Sequence, residues 1–416
     1  MGVIGGPVEP AALRGEPRAL ISRAALLHNA AVLSEAGGGV KLCGVVKADA
    51  YGHSAVVVAD ALTRLMRSGT EPRPSVDLLA VATVEEAALL GEPAVPVLIL
   101  RPVSHTFAGR QRELLEYAVG RNFILSVNSG AGADDLERVA TAAGKRAGVH
   151  LAMDTGLTRE GIDRREFDAM VERVRRSPAL KLHSVSTHFS DAEEPDNPLT
   201  PIQMEHFDDA TRPLAEAGVK RHAANTAGVL LTGDGPRFDF VRCGIGLYGI
   251  DPSGAPRADR PLRPALRLVA PLTQIRTVRA GTSVGYGRTW AATRESRIGL
   301  VPVGYADGYP RLAGEPRKGP RPVCRVGPGG GGTGRGGFAP VVGRVSMDYV
   351  TLDLTDLPDV GPGDEVTLID DDPLSPASVY ALARHAATIP YEVLSRLGTR
   401  VPRVAVEPSD AELEVH

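Results

Sequence analysis

The sequence predicts an α/β fold, an N-terminal (β/α)8 barrel followed by a mostly β C-terminal domain, and four observations carry that expectation. Over the first 250 residues, short apolar runs alternate with longer amphipathic stretches, the order that yields a parallel sheet. Eight such units fall within about 210 residues, which fits a closed barrel. No GxGxxG follows the first run, where a doubly wound nucleotide-binding sheet would need one. Beyond Tyr248 the texture changes to strand-like runs with few helical patterns.

In chain order, barrel strands are expected at 42–46, 77–82, 97–100, 122–127, 148–153, 182–187, 220–224 and 241–247, with amphipathic helices such as 54–66 and 164–174 between them. DPSGAPRADRPLRP, at 251–264, is rich in proline and charge and reads as a linker. The expected division is a barrel over 18–250, that linker, a β domain over 265–404 and a tail over 405–416. Within the β domain, strand-like runs stand at 266–278, 298–305, 341–345, 349–354 and 365–369, then a helix at 375–386 and a closing strand at 401–406. GPGGGGTGRGG, at 327–337, lacks GK[ST] and does not lie between a strand and a helix, so it reads as a flexible insertion and not a phosphate loop.

The 416 residues suffice for two or three domains, and 43% apolar with 23% charged is ordinary globular composition. Lys+Arg 47 against Asp+Glu 50 leaves a net charge of −3, which argues for neither a nucleic-acid nor an anionic-membrane partner. No run nears the roughly 18 apolar residues of a membrane-spanning helix. The first residues lack the basic and apolar regions of a signal peptide, so a cytoplasmic location is expected. Cys43, Cys243 and Cys324 lie far apart and suggest neither a disulfide framework nor a metal site.

Only six of the 47 basic residues are lysines: Lys41, Lys47, Lys145, Lys181, Lys220 and Lys318. Lysine can lose its proton and form an imine, whereas arginine cannot, which draws attention to Lys47 at the end of the first strand. Barrel active sites lie at the C-terminal ends of the strands. There the sequence offers Lys47, then Asp154 and Arg159, His188, Asn225 with Thr226, and Arg242. The loops after strands seven and eight, with Thr226, Gly244 and Ile245, supply amides of the kind that bind phosphate. A reactive lysine facing a phosphate pocket suggests pyridoxal 5'-phosphate.

VVKADAYGH, MDTGLTREG, STHFSDAEEPD, NTAG, VRCGIGLYG, VGYGRTW, PVGYADGYPR, VVGRVSMD and IPYEVLSRLGTRVPR follow one another along the chain. From about residue 18 to 404 they resemble, in family order, the motifs of the bacterial alanine racemases. The resemblance implies pyridoxal-phosphate-dependent interconversion of L- and D-alanine by a homodimer, in which the β domain of one subunit covers the barrel of the other. It also implies that a short strand at 19–21 joins the β domain. It makes Lys47 the lysine that carries the cofactor and Tyr286 the second catalytic base, reaching the other subunit's cofactor. Tyr51, Thr226, Gly244, Ile245 and Tyr391 match the phosphate contacts, and Arg242 the arginine beside the pyridine nitrogen. His188 matches the histidine linking that arginine to the second base, while Arg159 and the backbone of Met347 match positions that receive the substrate carboxylate.

Racemisation removes the α-proton from one face and returns it to the other, so two bases suffice; free lysine and tyrosine titrate near 10 and must be tuned down. A guanidinium stays protonated, so Arg242 cannot accept a pyridine proton as a carboxylate would. The sequence departs from the family at three places. Ala152 stands where many members carry a lysine that positions the carboxylate-binding arginine, Thr226 where serine is usual, and Ser346 where cysteine is common. Because Ala152 leaves Arg159 without that support, another anion or a carboxylate from elsewhere in the fold is expected beside it. Ala152 and the 327–337 insertion also leave room for a broader serine/alanine racemase.

Overall fold

The structure is a computed structural model that describes residues 15–64, 74–103, 109–233, 237–315, 320–327 and 336–407. β1 (Arg18–Ser22) is followed by eight strands that pair in sequence order into a closed parallel barrel. They are β2 (Lys41–Val45), β3 (Leu78–Val81), β4 (Val97–Ile99), β5 (Ile124–Ser126), β6 (Ala147–Ala152), β7 (Leu180–Ser186), β8 (Lys220–His222) and β9 (Phe240–Cys243). β9 closes the ring on β2, with Cys43 opposite Arg242. Residues 26–253 with 257–262 form this unit, while the other contains β1 and the chain from 263 onward. The proline-rich 251–264 stretch is therefore more than a spacer: its middle packs on the barrel, where His28 Nε2 bonds the Pro261 carbonyl at 2.8 Å.

The barrel interior is divided by chemistry. On one side Cys43, Val45, Leu78, Ala80, Leu98, Ile124 and Phe240 form an apolar cluster. On the other, His150, Ser184, Ser186, His222 and Arg242 are buried together. β2 to β5 supply most of the first set and β6 to β9 the second, so the polar residues stand below one arc of the rim. Tyr248 closes on the end of β2. It is fully buried, its hydroxyl donates to the Val45 carbonyl at 2.8 Å, and its ring lies 5.0 Å from Tyr51 and 4.5 Å from His53.

In the second unit, β10 (Leu266–Pro271), β11 (Gln274–Val278), β12 (Ser283–Val284), β13 (Trp290–Ala291), β14 (Ser296–Val301), β15 (Val323–Gly327), β16 (Gly337–Pro340), β17 (Val350–Asp353), β18 (Glu365–Ile369) and β19 (Arg403–Val406) make three sheets. One runs β16-β15-β18-β10-β1-β19, so the strand at 18–22 sits in this unit, antiparallel to β10 and parallel to β19. The single run expected at 266–278 is broken. Leu272 leaves the ladder to exchange hydrogen bonds with Asp364 and Gly363, which sends β11 into a separate sheet with β14 and β17. The strand expected at 341–345 does not form either. Val341 makes one bridge to Leu352, and Gly343 turns the chain at φ +71°, where a Cβ would meet the Val284 carbonyl oxygen at 2.7 Å. The hairpin β15–β16 instead flanks the glycine-rich insertion, whose residues 328–335 lie outside the described residues. The helix Val379–Ala386 starts on Ser378, whose side chain accepts from Ala381 N. A second helix, Pro390–Ser395, begins with proline at its first turn and carries Tyr391.

Replacing Tyr248 with Phe removes a buried hydroxyl from the Val45 carbonyl. Chemical denaturation is expected to give a loss of about 1–2 kcal/mol, with the far-ultraviolet spectrum unchanged.

Candidate active site

Lys47 begins a turn of unusual hand. Ala48, Asp49, Ala50 and Tyr51 all have φ of 52–53° and ψ of 37–51°, a left-handed run that costs about 1–2 kcal/mol per L-residue. Its far end is held by Ala50 N on the Val46 carbonyl at 2.9 Å and by Asp49 Oδ1, which accepts from Ala55 N at 2.7 Å. Burial pushes the Lys47 ammonium below its ordinary range and Arg159 pushes further. Glu160 and Glu86 pull it back, and Arg242 adds to the downward side.

Beside this turn, the ends of β8 and β9 form a cradle. Thr226 Oγ1 accepts from Gly244 N and from Gly246 N, both at 3.3 Å. The cradle is closed to side chains: a Cβ on Gly244 would lie 2.4 Å from Tyr51 Oη, and one on Gly246 2.6 Å from the Thr226 methyl. The threonine departure is thus accommodated by a glycine opposite it. Ile245 is buried, and its amide donates to no acceptor among the described residues. Burial raises the Tyr51 hydroxyl to about 12, which keeps it a donor. Two hydroxyls and an unused buried amide, with no carboxylate among them, suit a phosphate.

Arg242 lies at the centre of the polar arc. Its NH1 donates to His222 Nδ1 and to the His222 carbonyl, both at 2.8 Å; its NH2 donates to the Thr187 carbonyl at 2.7 Å and the Ala223 carbonyl at 3.1 Å. A longer bond, 3.4 Å, runs from NH2 to His188 Nδ1. All these acceptors are neutral, and burial lowers the guanidinium to about 10, still charged at neutral pH. Nε has no acceptor among the described residues, so one edge of the cation is left for a ligand. Because guanidinium only donates, both histidines carry their proton on Nε2. Burial and Arg242 push His222 well below its ordinary range and His188 to about 3. His222 stacks on His150 at 4.9 Å and 21°, and Ser184 and Ser186 hold the two His150 nitrogens at 2.9 and 3.0 Å.

Arg159 sits in a loop organised by Asp154. The Asp154 carboxylate accepts from the amides of Gly156, Thr158 and Arg159 at 2.8, 3.1 and 3.2 Å, and a Cβ on Gly161 would lie 2.7 Å from Asp154 N. Arg159 Nε pairs with the Glu160 carboxylate, and the Glu160 carbonyl is held by Asn128 Nδ2 at 3.1 Å. The anion beside Arg159, expected as a free ion or a carboxylate from elsewhere in the fold, is instead the carboxylate of the next residue. Both side chains are substantially exposed, at 55% and 40%.

The remaining predicted residues belong to the β unit. Tyr286 is 73% exposed, between Gly285 and Gly287 at φ +75° and +69°. Met347 uses its carbonyl to accept from Ala306 N at 3.0 Å. Ser346 closes the same turn, with Oγ donating to the Tyr349 carbonyl and accepting from its amide, both at 3.0 Å. Among the described residues no group of three or more His, Cys, Asp or Glu could hold a metal, and no helix is long and apolar enough to cross a membrane.

Comparison with known proteins defines the class of this chain: it is an isomerase, an amino-acid racemase. Residues 21–252 match the alanine racemase N-terminal domain and residues 265–405 the alanine racemase C-terminal domain. The alanine racemase of Sorangium cellulosum is 35% identical, covering 94% of this chain and 99% of its own; that of Halothermothrix orenii is 35% identical, covering 88% and 90%. Among solved structures, alanine racemase from Streptomyces coelicolor A3(2) superposes with a TM-score of 0.81 at 32% identity, covering 94% of this chain and 98% of its own. A Bartonella henselae alanine racemase with covalently bound pyridoxal phosphate gives 0.76 at 28% identity, covering 94% and 99%. The chain belongs to the alanine racemase family and interconverts the enantiomers of alanine; these relatives do not favour the broader serine/alanine reading.

His150, His222, Glu86 and Glu160 were not singled out from the sequence. Period-two alternation along β6 and β8 puts both histidines on the inward face, so a signal for them existed. The two glutamates act through loops, where no periodicity helps. A pH dependence follows from the buried neutral imidazoles. Burial holds His150 and His188 at about 3, so the unfolded chain binds their protons below about 6.5 while the folded chain does not. Stability is therefore expected to fall as pH drops from about 6.5 toward 3. His150→Asn should flatten that slope by about 1.4 kcal/mol per pH unit in mid-window, read from denaturation curves across the range.

Proposed function

We propose that the chain racemises alanine with pyridoxal 5'-phosphate held covalently by Lys47, and with the partner subunit's Tyr286 as the second base. One observation carries the reading: a lysine with a lowered proton affinity stands beside a glycine-backed cradle that contains two hydroxyls and an unused buried amide. Thr226, Gly244, Ile245 and Tyr51 would hold the phosphate, joined by Tyr391, and the open Nε edge of Arg242 would face the pyridine nitrogen. When bound, the cofactor withdraws electrons from the α-carbon of the substrate and so acidifies its proton.

The chain's own residues do the rest. Burial and Arg159 raise the share of neutral Lys47 amine, which can take the α-proton on one face at Nζ. The Tyr286 hydroxyl returns a proton on the other face. Arg242, fixed by strand-end carbonyls and neutral histidines, donates but cannot accept, so it favours an unprotonated pyridine and limits electron withdrawal. His188 orients Arg242 on the side of the second base. Arg159, with its Nε taken by Glu160, offers its two terminal nitrogens end-on to the substrate carboxylate, beside the backbone of Met347. Homodimer assembly and a cytoplasmic location belong to the same proposal.

Borohydride should fix the cofactor to the Lys47 peptide, and L-alanine should both lose optical rotation and exchange its α-proton in deuterated water. Labelling of a different lysine would refute the assignment. Mixed Lys47→Ala and Tyr286→Phe subunits, each inactive alone, should regain activity; demonstrated subunit exchange without activity would remove the shared site. Glu160→Gln should raise KM for alanine up to about fivefold, the span of an exposed ion pair, with less change in kcat. A lower KM would mean instead that Glu160 competes with the substrate.

A further inference from the structure

Lys47 stands at the head of a left-handed turn whose one glycine, Gly52 at φ +84°, comes only at its end, so contacts outside the turn must hold Ala48 to Tyr51. The hydrogen bonds of Asp49 and Ala50 secure the far end. The residue next to Lys47 is secured by Glu86. Glu86 Oε1 accepts from Ala48 N at 2.9 Å, and Oε2 accepts from Ala82 N at 2.7 Å and from Thr83 N at 3.3 Å. Glu86 is also the third residue of the helix Val84–Leu89, whose capping box it forms with Thr83. A capping box needs only the weakest of these three bonds. The other two tie the end of β3 to the backbone that follows β2.

We propose that Glu86 is a positioning residue for the reaction: by bridging Ala48, Ala82 and Thr83, its carboxylate locks the turn that carries Lys47 and keeps a negative charge beside the Lys47 amine. The proposal rests on Lys47 being the cofactor lysine. The charged and titratable groups around that amine are Arg159 and Glu160 from the loop after β6, His188 after β7, Arg242 on β9, and Glu86. His188 is neutral and both guanidiniums repel an ammonium. Glu160 spends its charge on Arg159 at the surface. Asp49 spends its carboxylate on Ala55 N at the far end of the turn, and Glu86 is the anion bonded to the amide next to Lys47. A base that must release a proton and take one back in each turnover cannot be driven wholly to the neutral form. Glu86 offsets the two guanidiniums and keeps both states within reach.

Scarcity of lysine makes the test direct. Reductive methylation of the cofactor-stripped full chain with 13C-formaldehyde labels only six lysine side chains. The signal absent when cofactor is first fixed with borohydride is that of Lys47. In Glu86→Gln this signal is expected to titrate at lower pH than in the parent. In the holoenzyme, hydrogen exchange of the Ala48 amide is expected to quicken roughly tenfold or more, the loss of one charge-assisted bond. Thr83→Ala removes the other half of the capping box, and should lower the melting temperature while leaving the Lys47 titration and Ala48 exchange in place. Should Glu86→Gln fail to fold, Glu86→Asp keeps the charge but falls short of Ala48: exchange should quicken with little change in titration. No change in either reading for Glu86→Gln, or equal changes in Thr83→Ala, would overturn the proposal. Cofactor fixed to another lysine would overturn the reading of Lys47 and the role with it, a failure told apart because the Ala48 exchange would still respond to Glu86.

Discussion

A cation with no counter-anion among the described residues sits inside the barrel, and much of the interior is arranged to tolerate it. A buried charge is costly unless its hydrogen bonds are met. Arg242 meets this by collecting three carbonyls from the ends of β7 and β8, together with two imidazoles. Those imidazoles must then remain neutral, and His150 with its two serines supplies a neutral polar backing for one of them. Leucines in place of the histidines would leave the guanidinium only its backbone carbonyls, and a carboxylate would cancel the property that distinguishes it. The polar arc of an otherwise apolar barrel follows from that one side chain.

The rim shows how short glycine-bearing turns divide the work. Gly244 and Gly246 let Tyr51 and Thr226 approach backbone that a methyl group would displace. Gly161 lets the Asp154 carboxylate gather its three amides. Each turn is held by its own local acceptor, so the functional groups are set by rigid backbone and not by long flexible side chains. Arg159 is the exception, exposed and steadied by a neighbour.

The barrel was legible because alternation of apolar runs and amphipathic helices is a repeated signal, sampled eight times. Lys47, Arg242 and Thr226 were legible because barrel chemistry gathers at strand ends. The β unit was read less well. Its strand boundaries depend on where Leu272 and Gly343 leave the ladder, and those exits are decided by partners distant in sequence. Tyr286 and Met347 carry no pattern of their own, and their roles entered through resemblance. The partner of Arg159 is expected as an anion, free or from a carboxylate elsewhere in the fold, and its identity depends on loop geometry that the sequence does not encode by period.

The turn after Lys47 also bears on how the chain keeps its shape over time. Glycine would adopt its left-handed conformation without steric penalty, yet the chain places Ala, Asp, Ala and Tyr there. At about 1–2 kcal/mol each, the four together approach the whole net stability of a typical domain, about 5–15 kcal/mol. Four glycines would relax the segment, but they would also give it many other conformations to visit. Side chains that dislike the turn also have few alternatives once neighbours have closed around it. The tether of the Lys47 amine is therefore stiff because it is strained, like a spring compressed against its stops.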